Sequence, residues 1–348
     1  MATATLALHG ELGVEEKENA VGVAVTKQRR RVGWRSAEAG GRSVPAAPAK
    51  QRRLRASWRT SEYGYGYLFC APYLVAFVLL ELVPLFYGLY VALHNETLLG
   101  GTSAGPFTFS NFAQIFKNDT LPAQQFWQGV EHTAFFVLIS VPFAWAFAAL
   151  LAYTLYHSFL RDLLRTVFFL PVVFSVSALG TLWLFLLATD GGLNTLLHVQ
   201  IPWLTEQPFA WLALDSQKLW ARVGFDTVIM YAGLTQVPTA TFEASLIDGA
   251  GYWKRFRYVA LPQLRTISII VIVLETIESF NLFAQPMIMT GGGPGSSTTT
   301  ATMVIYNETF NGFDAGTGAA MGIVFGVILA VVAILQFRAT RARRTDGR

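Results

Sequence analysis

Residues 243–262 read EASLIDGAGYWKRFRYVALP, a compact polar stretch that lies between two apolar segments. It combines charges of both signs with a pair of glycines, whereas the sequence on either side is strongly apolar. Pro238 ends the preceding apolar segment. Thr239 or Thr241 can cap a short helix, and Gly249 permits a tight reversal of the chain. The stretch therefore predicts a short helix that projects from an apolar bundle and can contact a partner, and an ordinary polar loop is the alternative.

The composition indicates a membrane environment for the rest of the chain. Of the 348 residues, 53% are apolar and only 14% are charged, and the mean hydropathy is +0.42. Several windows exceed the ~18 apolar residues that are typical of a transmembrane helix. We therefore expect an all-α integral membrane protein, which makes a soluble enzyme a remote alternative. The single cysteine, Cys70, excludes a disulfide within the chain.

Six membrane spans can be placed from the apolar windows, with a few residues of error at each end. The fourth is the weakest, because it carries four charged residues, Asp215, Lys218, Arg222 and Asp226. The predicted spans are residues 67–93, 133–156, 163–187, 209–234, 266–290 and 319–337.

The distribution of Lys and Arg among the connections predicts the orientation of the spans. The N-terminal tail, the second and fourth connections and the C-terminal tail hold most of these residues, and Lys117 is the one in the remaining connections. By the positive-inside rule both termini are cytoplasmic. The polar stretch at Lys254 is then cytoplasmic too. Because the connection after the third span lies outside, the chain must cross the membrane once more before this stretch, and the weak fourth span is therefore required.

The first sixty residues have a different character from the rest. Residues 27–59 contain eleven Lys or Arg and one acid, Glu38. This composition predicts a disordered basic tail. Its positive charge is expected to keep it on the cytoplasmic side of the first span, where it is attracted to anionic lipid. Nucleic-acid binding is a remote alternative. The expected organisation is a disordered cytoplasmic tail (1–62), a six-helix domain (63–338) and a basic cytoplasmic C-terminal tail (339–348).

The polar stretch resembles a known cytoplasmic signature, E-A-A, three residues, G, nine residues, I, one residue, L-P. The matching residues are Glu243, Ala244, Ser245, Gly249, Val259, Leu261 and Pro262. Asp248, directly before the glycine, also resembles the form of this signature that is found in carbohydrate importers. Ser245 and Val259 are mild departures from the pattern. The sequence is thereby similar to permease subunits of bacterial ABC-type carbohydrate importers, and the run MTGGGP at 289–294 resembles the maltose-permease F type.

The resemblance implies a division of labour among several subunits. It implies a second homologous permease, two copies of an ATPase that receives the helix at Glu243–Gly249 as a coupling helix between spans 4 and 5, and an extracytoplasmic sugar-binding protein. ATP and Mg²⁺ would bind to the ATPase, so no cofactor, metal or catalytic residue is expected in this chain, which would reside in the bacterial plasma membrane. A secondary transporter is the alternative function, and a membrane-embedded enzyme is remote.

Two opposite-signed helix faces lie within the fourth and fifth spans. Lys218, Arg222 and Phe225 or Asp226 share one face, and a second face carries Glu275, Glu278, Ser279 and Leu282. Because an intramembrane charge costs at least ~2.5 kcal/mol at a helix centre, the two faces are expected to pair or to line water. The functional hypothesis is that they line a sugar path. Structural salt bridges alone are the second interpretation, and a proton relay is the third.

The predicted orientation can be checked by thiol labelling in a chain in which Cys70 is replaced. An impermeant reagent applied from outside should modify single cysteines placed near Thr102, Gly192 and Ser296. It should not modify cysteines placed near Ser158, Tyr252 and Thr345. External labelling at Tyr252 would contradict the assigned topology.

Overall fold

The computed structural model describes residues 59–94, 96–98 and 106–345, with side chains described from residue 67 to residue 339. Most of the predicted basic tail, residues 1–62, lies outside these residues. In the described part of the chain the regular secondary structure is helical, and the β feature is an isolated bridge between Thr97 and Asp314. The all-helical fold class is confirmed for these residues.

The helices vary from single turns to a rod of 36 residues. In chain order, the α-helices are α1 (Arg59–Phe77), α2 (Val83–Ala92), α3 (Ser110–Lys117), α4 (Leu121–Tyr156), α5 (Arg161–Phe169), α6 (Val176–Leu187), α7 (Gly192–Leu197), α8 (Phe209–Leu234), α9 (Thr239–Ile247), α10 (Tyr252–Arg255), α11 (Leu261–Gln263), α12 (Arg265–Phe280), α13 (Ala284–Met289), α14 (Ala301–Tyr306) and α15 (Ala315–Thr345). Short π-helical turns follow α1, α10 and α14, and a 3₁₀ turn follows α5.

Four helical stretches among the described residues are long and apolar enough to cross a membrane, and a bent pair gives a fifth. The bent pair is Tyr252–Gln263 with Arg265–Phe280, at 78°. Helix α8 has the bounds predicted for the fourth span, but its four charged residues keep it from meeting the same apolar criterion. The four stretches are Tyr67–Ala92, Leu121–Tyr156, Val176–Leu197 and Ala315–Ala339.

Two predicted spans are interrupted in the structure. The third breaks at the 3₁₀ turn Leu170–Val173, where Pro171 lacks an N–H to continue a helix, and α6 restarts with Ser175 Oγ accepting a hydrogen bond from Ala178 N at 3.2 Å. The fifth breaks between α12 and α13. The last helix runs to Thr345, so most of the predicted C-terminal tail is helical.

Helices α4, α8 and α12 form the centre of the bundle, with the neighbouring segments packed around them. Ala148, Ala149 and Ala152 of α4 are fully buried, because their small side chains let α4 approach its neighbours closely. Toward one end, Tyr153 of α4 lies in an apolar cluster with Met230 and other residues of α8, α9 and α12. Within lipid such close packing, rather than exclusion of water, holds helices together.

Gly224 of α8 allows a close approach to the end of α5. A Cβ at this position would overlap the carbonyl oxygen of Phe168 and would lie 2.8 Å from the Cα of Phe169. The glycine therefore allows α8 to pack directly on the backbone at the end of α5. This contact holds the first half of the broken third span in place.

Gly224→Ala should destabilise the chain, although alanine has the higher helix propensity. The added methyl group meets backbone atoms that cannot rotate away, and overpacking of this kind costs ~1–3 kcal/mol. Gly326→Ala in α15 is the matched control, since a Cβ there has no neighbour within 4 Å. Thermal unfolding in detergent should show a lower midpoint for Gly224→Ala and an unchanged or higher one for Gly326→Ala, and equal midpoints would contradict the analysis.

Candidate functional site

A buried ion cluster joins α8 to α12. Lys218 Nζ lies 2.5 Å from Glu275 Oε2, and Arg222 Nε lies 3.4 Å from Glu275 Oε1. Arg222 Nη1 also donates a hydrogen bond to Glu278 Oε1 at 3.0 Å. The glutamate at the centre, Glu275, is fully buried. The opposite-signed faces predicted from the sequence are therefore brought together.

Lys218 extends the cluster to a third helix. Its Nζ donates a hydrogen bond to Ser140 Oγ of α4 at 3.2 Å and lies 5.8 Å from the centre of the Phe136 ring. Because a buried charge is stable only with partners that replace its hydration, these contacts restrict how α4, α8 and α12 can be arranged. Asp226 is also buried on α8 and faces Glu275.

A cavity of about 350 Å³ opens beside the cluster. Its wall is formed by five residues between 171 and 179 around the broken third span, by Lys218, Ala221 and Arg222 of α8, and by Glu278 with residues 281–285. The break between α12 and α13 contributes Asn281 and Phe283 to this wall, and the first turn of α13 contributes Gln285. The cavity therefore combines paired charges, neutral amides and aromatic rings.

The hydroxyl groups of two threonines stabilise the break between α12 and α13. The carbonyl oxygen of Leu282 accepts hydrogen bonds from Thr300 Oγ1 and Thr302 Oγ1, both at 2.8 Å. Irregular backbone at membrane depth requires such partners, because lipid offers none. The chain can therefore depart from helical geometry beside the cavity without leaving this carbonyl unpaired.

The seven predicted path residues take different positions relative to the cavity. Lys218, Arg222, Glu278 and Leu282 are part of its wall. Phe225 lies under the Arg222 guanidinium, with 4.7 Å between the Arg222 Cζ and the ring centre. Glu275 and Ser279 are both fully buried behind the wall.

Sequence reasoning missed the aromatic residues Phe174 and Phe283, which also line the cavity. Both follow interruptions of helices, so helical periodicity does not indicate where they lie. The one available signal was Pro171, which breaks the third span just before Phe174.

The predicted signature helix is α9, and its side chains separate into a buried side and an exposed side. Phe242 is buried against Tyr156 of α4, with ring centres 5.5 Å apart, and the buried Ser245 donates its hydroxyl to Phe242 O at 2.6 Å. The outer side exposes Glu243, Ala244, Leu246, Ile247, Asp248 and Gly249. Within the described residues, the apolar side chains of Leu246 and Ile247 are therefore left exposed at the end of α9.

Gly249 ends α9 in a left-handed conformation with φ of 73°, which L side chains rarely adopt. After the turn, the motif continues to Leu261, which packs against the cluster around Tyr153, and to the exposed Pro262. Phe242 and Leu261 therefore anchor the two sides of the turn to the same apolar cluster. In the described part of the chain, no group of three or more His, Cys, Asp or Glu side chains can hold a metal ion.

Residues 140–345, which include the ion cluster and α9, match the family described as binding-protein-dependent transport system inner membrane component. The chain belongs to this family. It is an integral membrane permease of the ABC transporter class, and the resemblance stated from residues 243–262 is confirmed.

Individual relatives extend the similarity over most of the permease. The lactose transport system permease protein LacF of Rhizobium radiobacter is 30% identical over 290 residues, which cover 80% of this chain and 95% of LacF. The sn-glycerol-3-phosphate transport system permease protein UgpA of Escherichia coli O157:H7 is 29% identical over 284 residues, which cover 78% of this chain and 92% of UgpA.

The fold is also similar to a solved structure. A chain of a bacterial ABC transporter involved in the import of the acidic polysaccharide alginate superposes with a TM-score of 0.69 at 20% identity. The superposition covers 82% of this permease and 98% of the other chain. At this identity the likeness shows the fold of the permease.

Glu275→Gln should destabilise the permease strongly, since it leaves the buried Lys218 without its carboxylate. Breaking a buried pair by removal of one partner costs about 3–5 kcal/mol, whereas apolar replacement of both partners is often neutral. The double variant Lys218→Met with Glu275→Met is therefore expected to recover much of the lost stability. Thermal unfolding in detergent measures both effects, and a double variant less stable than Glu275→Gln would contradict this account.

Proposed function

We propose that this permease is one transmembrane subunit of an ATP-driven sugar importer. It forms half of the translocation path, together with a second homologous permease. It docks α9 as a coupling helix into one of two ATPase copies, which bind ATP and Mg²⁺. An extracytoplasmic sugar-binding protein delivers the substrate.

The exposed side of α9 carries the docking proposal. Ile247 is 87% exposed and Leu246 is 53% exposed, although both lie in a polar stretch on the predicted cytoplasmic side. Exposed apolar side chains beside the carboxylates of Glu243 and Asp248 fit a cleft with an apolar floor and a basic rim. The buried Phe242 fixes the other side of α9 to α4, so a displacement of α9 reaches the membrane helices directly.

The cavity beside the ion cluster supports the proposal of a path. It lies between broken helices, where irregular backbone can line a route through the bilayer. Lys218, Arg222, Glu278 and Leu282 belong to its wall, Phe225 supports Arg222, and Glu275 and Ser279 pack behind them. The last two residues therefore act on the path through the residues that line it.

Six membrane spans with both termini in the cytoplasm complete the proposal. The fourth span is α8, whose 26 residues are long enough to cross a bilayer. Its charges at Lys218 and Arg222 are compensated by α12, which removes the main objection to placing α8 in lipid. This arrangement keeps α9 on the same side as the Arg-rich ends of the chain and assigns the subunit to the bacterial plasma membrane.

The sugar substrate class is inferred from the relatives and from the polar wall of the cavity. LacF is named for lactose, and the structural neighbour transports a polysaccharide. A related structure of the alginate transporter is in complex with a periplasmic protein that carries an alginate pentasaccharide. This favours delivery by a binding protein here as well.

The docking proposal predicts a graded response at Gly249. Gly249→Ala carries the strain of the left-handed backbone with little added volume, whereas Gly249→Trp adds a bulky ring where a cleft would close on the turn. With the partner ATPase present, Gly249→Trp should abolish retention of the ATPase and transport-linked ATP hydrolysis. Gly249→Ala should reduce them less, and Glu243→Gln should also weaken retention.

Gly249→Asn is the control for the backbone, since Asn tolerates the left-handed region. It should resemble the unsubstituted permease more than Gly249→Trp does. All variants should insert into the membrane, because the apolar spans and flanking arginines are unchanged. Full ATPase retention and hydrolysis by Gly249→Trp would refute the docking proposal.

A further inference from the structure

The charges at the cavity restrict what kind of solute it can accept. Among the described residues of its wall, the cationic side chains are Lys218 and Arg222, and the carboxylate is Glu278. A site for an anion needs positive charge that carboxylates of the protein do not already balance. The first question is therefore whether either cation is available.

Lys218 is already committed to protein partners. Its ammonium group donates to both Glu275 and Ser140, and the residue is only 5% exposed. A solute in the cavity would have to compete with a fully buried carboxylate at 2.5 Å. Lys218 thus supplies no free positive charge to the cavity.

Arg222 is shared between two carboxylates. Its Nη1 donates to Glu278 Oε1, its Nε lies near Glu275 Oε1, and its guanidinium covers the Phe225 ring. The buried Asp226 adds a third carboxyl group to the same neighbourhood. Glu275 and Glu278 already match the two cations in number, and Asp226 and Asp215 lie in the same neighbourhood, so the cluster has no positive excess.

The N-terminal end of α6 adds positive potential to the cavity and so opposes the effect of the carboxylates. Val176 lines the cavity, and the helix dipole places about half a positive charge at such an end. However, Ser175 Oγ already accepts the hydrogen bond of Ala178 N. Glu278 carries a full negative charge and is half exposed at the same cavity, so its field dominates.

We infer that the cavity accepts an uncharged, hydroxyl-rich solute and disfavours anions, because both of its cations are paired internally. The paired Arg222 and Glu278 present donors and an acceptor side by side, and Asn281 and Gln285 add neutral amides. The rings of Phe174 and Phe283 offer apolar faces for a sugar ring. This inference rests on the proposed function, in which the cavity belongs to the translocation path, and it selects a neutral sugar or polyol over an acidic one.

Charged thiol reagents of matched size can measure the field in the cavity. The full chain carries Cys70→Ser and a single probe, Asn281→Cys, with Gln285→Cys as a second probe position. In detergent, each is treated with methanethiosulfonates that bear an anionic sulfonatoethyl, a cationic trimethylammonioethyl or a neutral hydroxyethyl group. Every rate is divided by that of 2-mercaptoethanol with the same reagent.

The normalised anionic rate should be the lowest of the three at both positions. Glu278→Gln should raise it about tenfold, the size expected when one unit charge a few ångströms away is removed. Asp119→Asn, in the loop between α3 and α4, is the matched control and should leave it unchanged.

An anionic rate equal to or above the cationic rate would overturn the inference, as would an unchanged anionic rate in Glu278→Gln. Absence of reaction with all three reagents would also overturn it, because it would show that the cavity is closed to solutes. The measurement requires neither the ATPase nor transport. If the predicted order of rates is not found, the docking proposal is unaffected. If the ATPase docking proposal is wrong, the rates measured in the cavity are unaffected.

Discussion

The carboxylate of Glu275 is the constraint on which the centre of this molecule depends. It is fully buried between helices and holds Lys218 and Arg222 at once. Removing three charges from water is tolerable only when their partners are fixed in place. The positions of α4, α8 and α12 are therefore coupled to one another, and the cavity beside them inherits its shape from this arrangement.

Helix propensity and hydropathy predict much of this fold, because most spans are long and apolar. The bounds of α8 follow from the sequence, and so does the pairing of its charged face with that of α12. The sequence also predicts the short helix at Glu243, since its threonines, charges and glycine turn are local signals. The helices follow from residues that are close together in the chain, and the pairing follows from opposite charges that both need partners in lipid.

The break after Phe280 is harder to predict than the break at Pro171, because the residues that stabilise it are distant in sequence. At this break the carbonyl oxygen of Leu282 accepts hydrogen bonds from Thr300 and Thr302, and no local sequence pattern connects these threonines to Leu282. Periodicity also places residues on a face without giving their depth. Ser279 shares the face of Glu275 and is buried with it, whereas Asn281 reaches the cavity because the helix ends there.

Helix α4 has a mechanical consequence for the molecule. It contacts Phe242 of α9 through Tyr156 near one end and reaches the ion cluster through Ser140 some sixteen residues away, which corresponds to ~24 Å of helix. Between these points lies Pro142, which cannot donate to the carbonyl of Leu138. One missing hydrogen bond makes this turn the part of α4 that is easiest to bend between the two contacts, so the stiffness of α4 at Pro142 limits any displacement that α9 could pass to the charges.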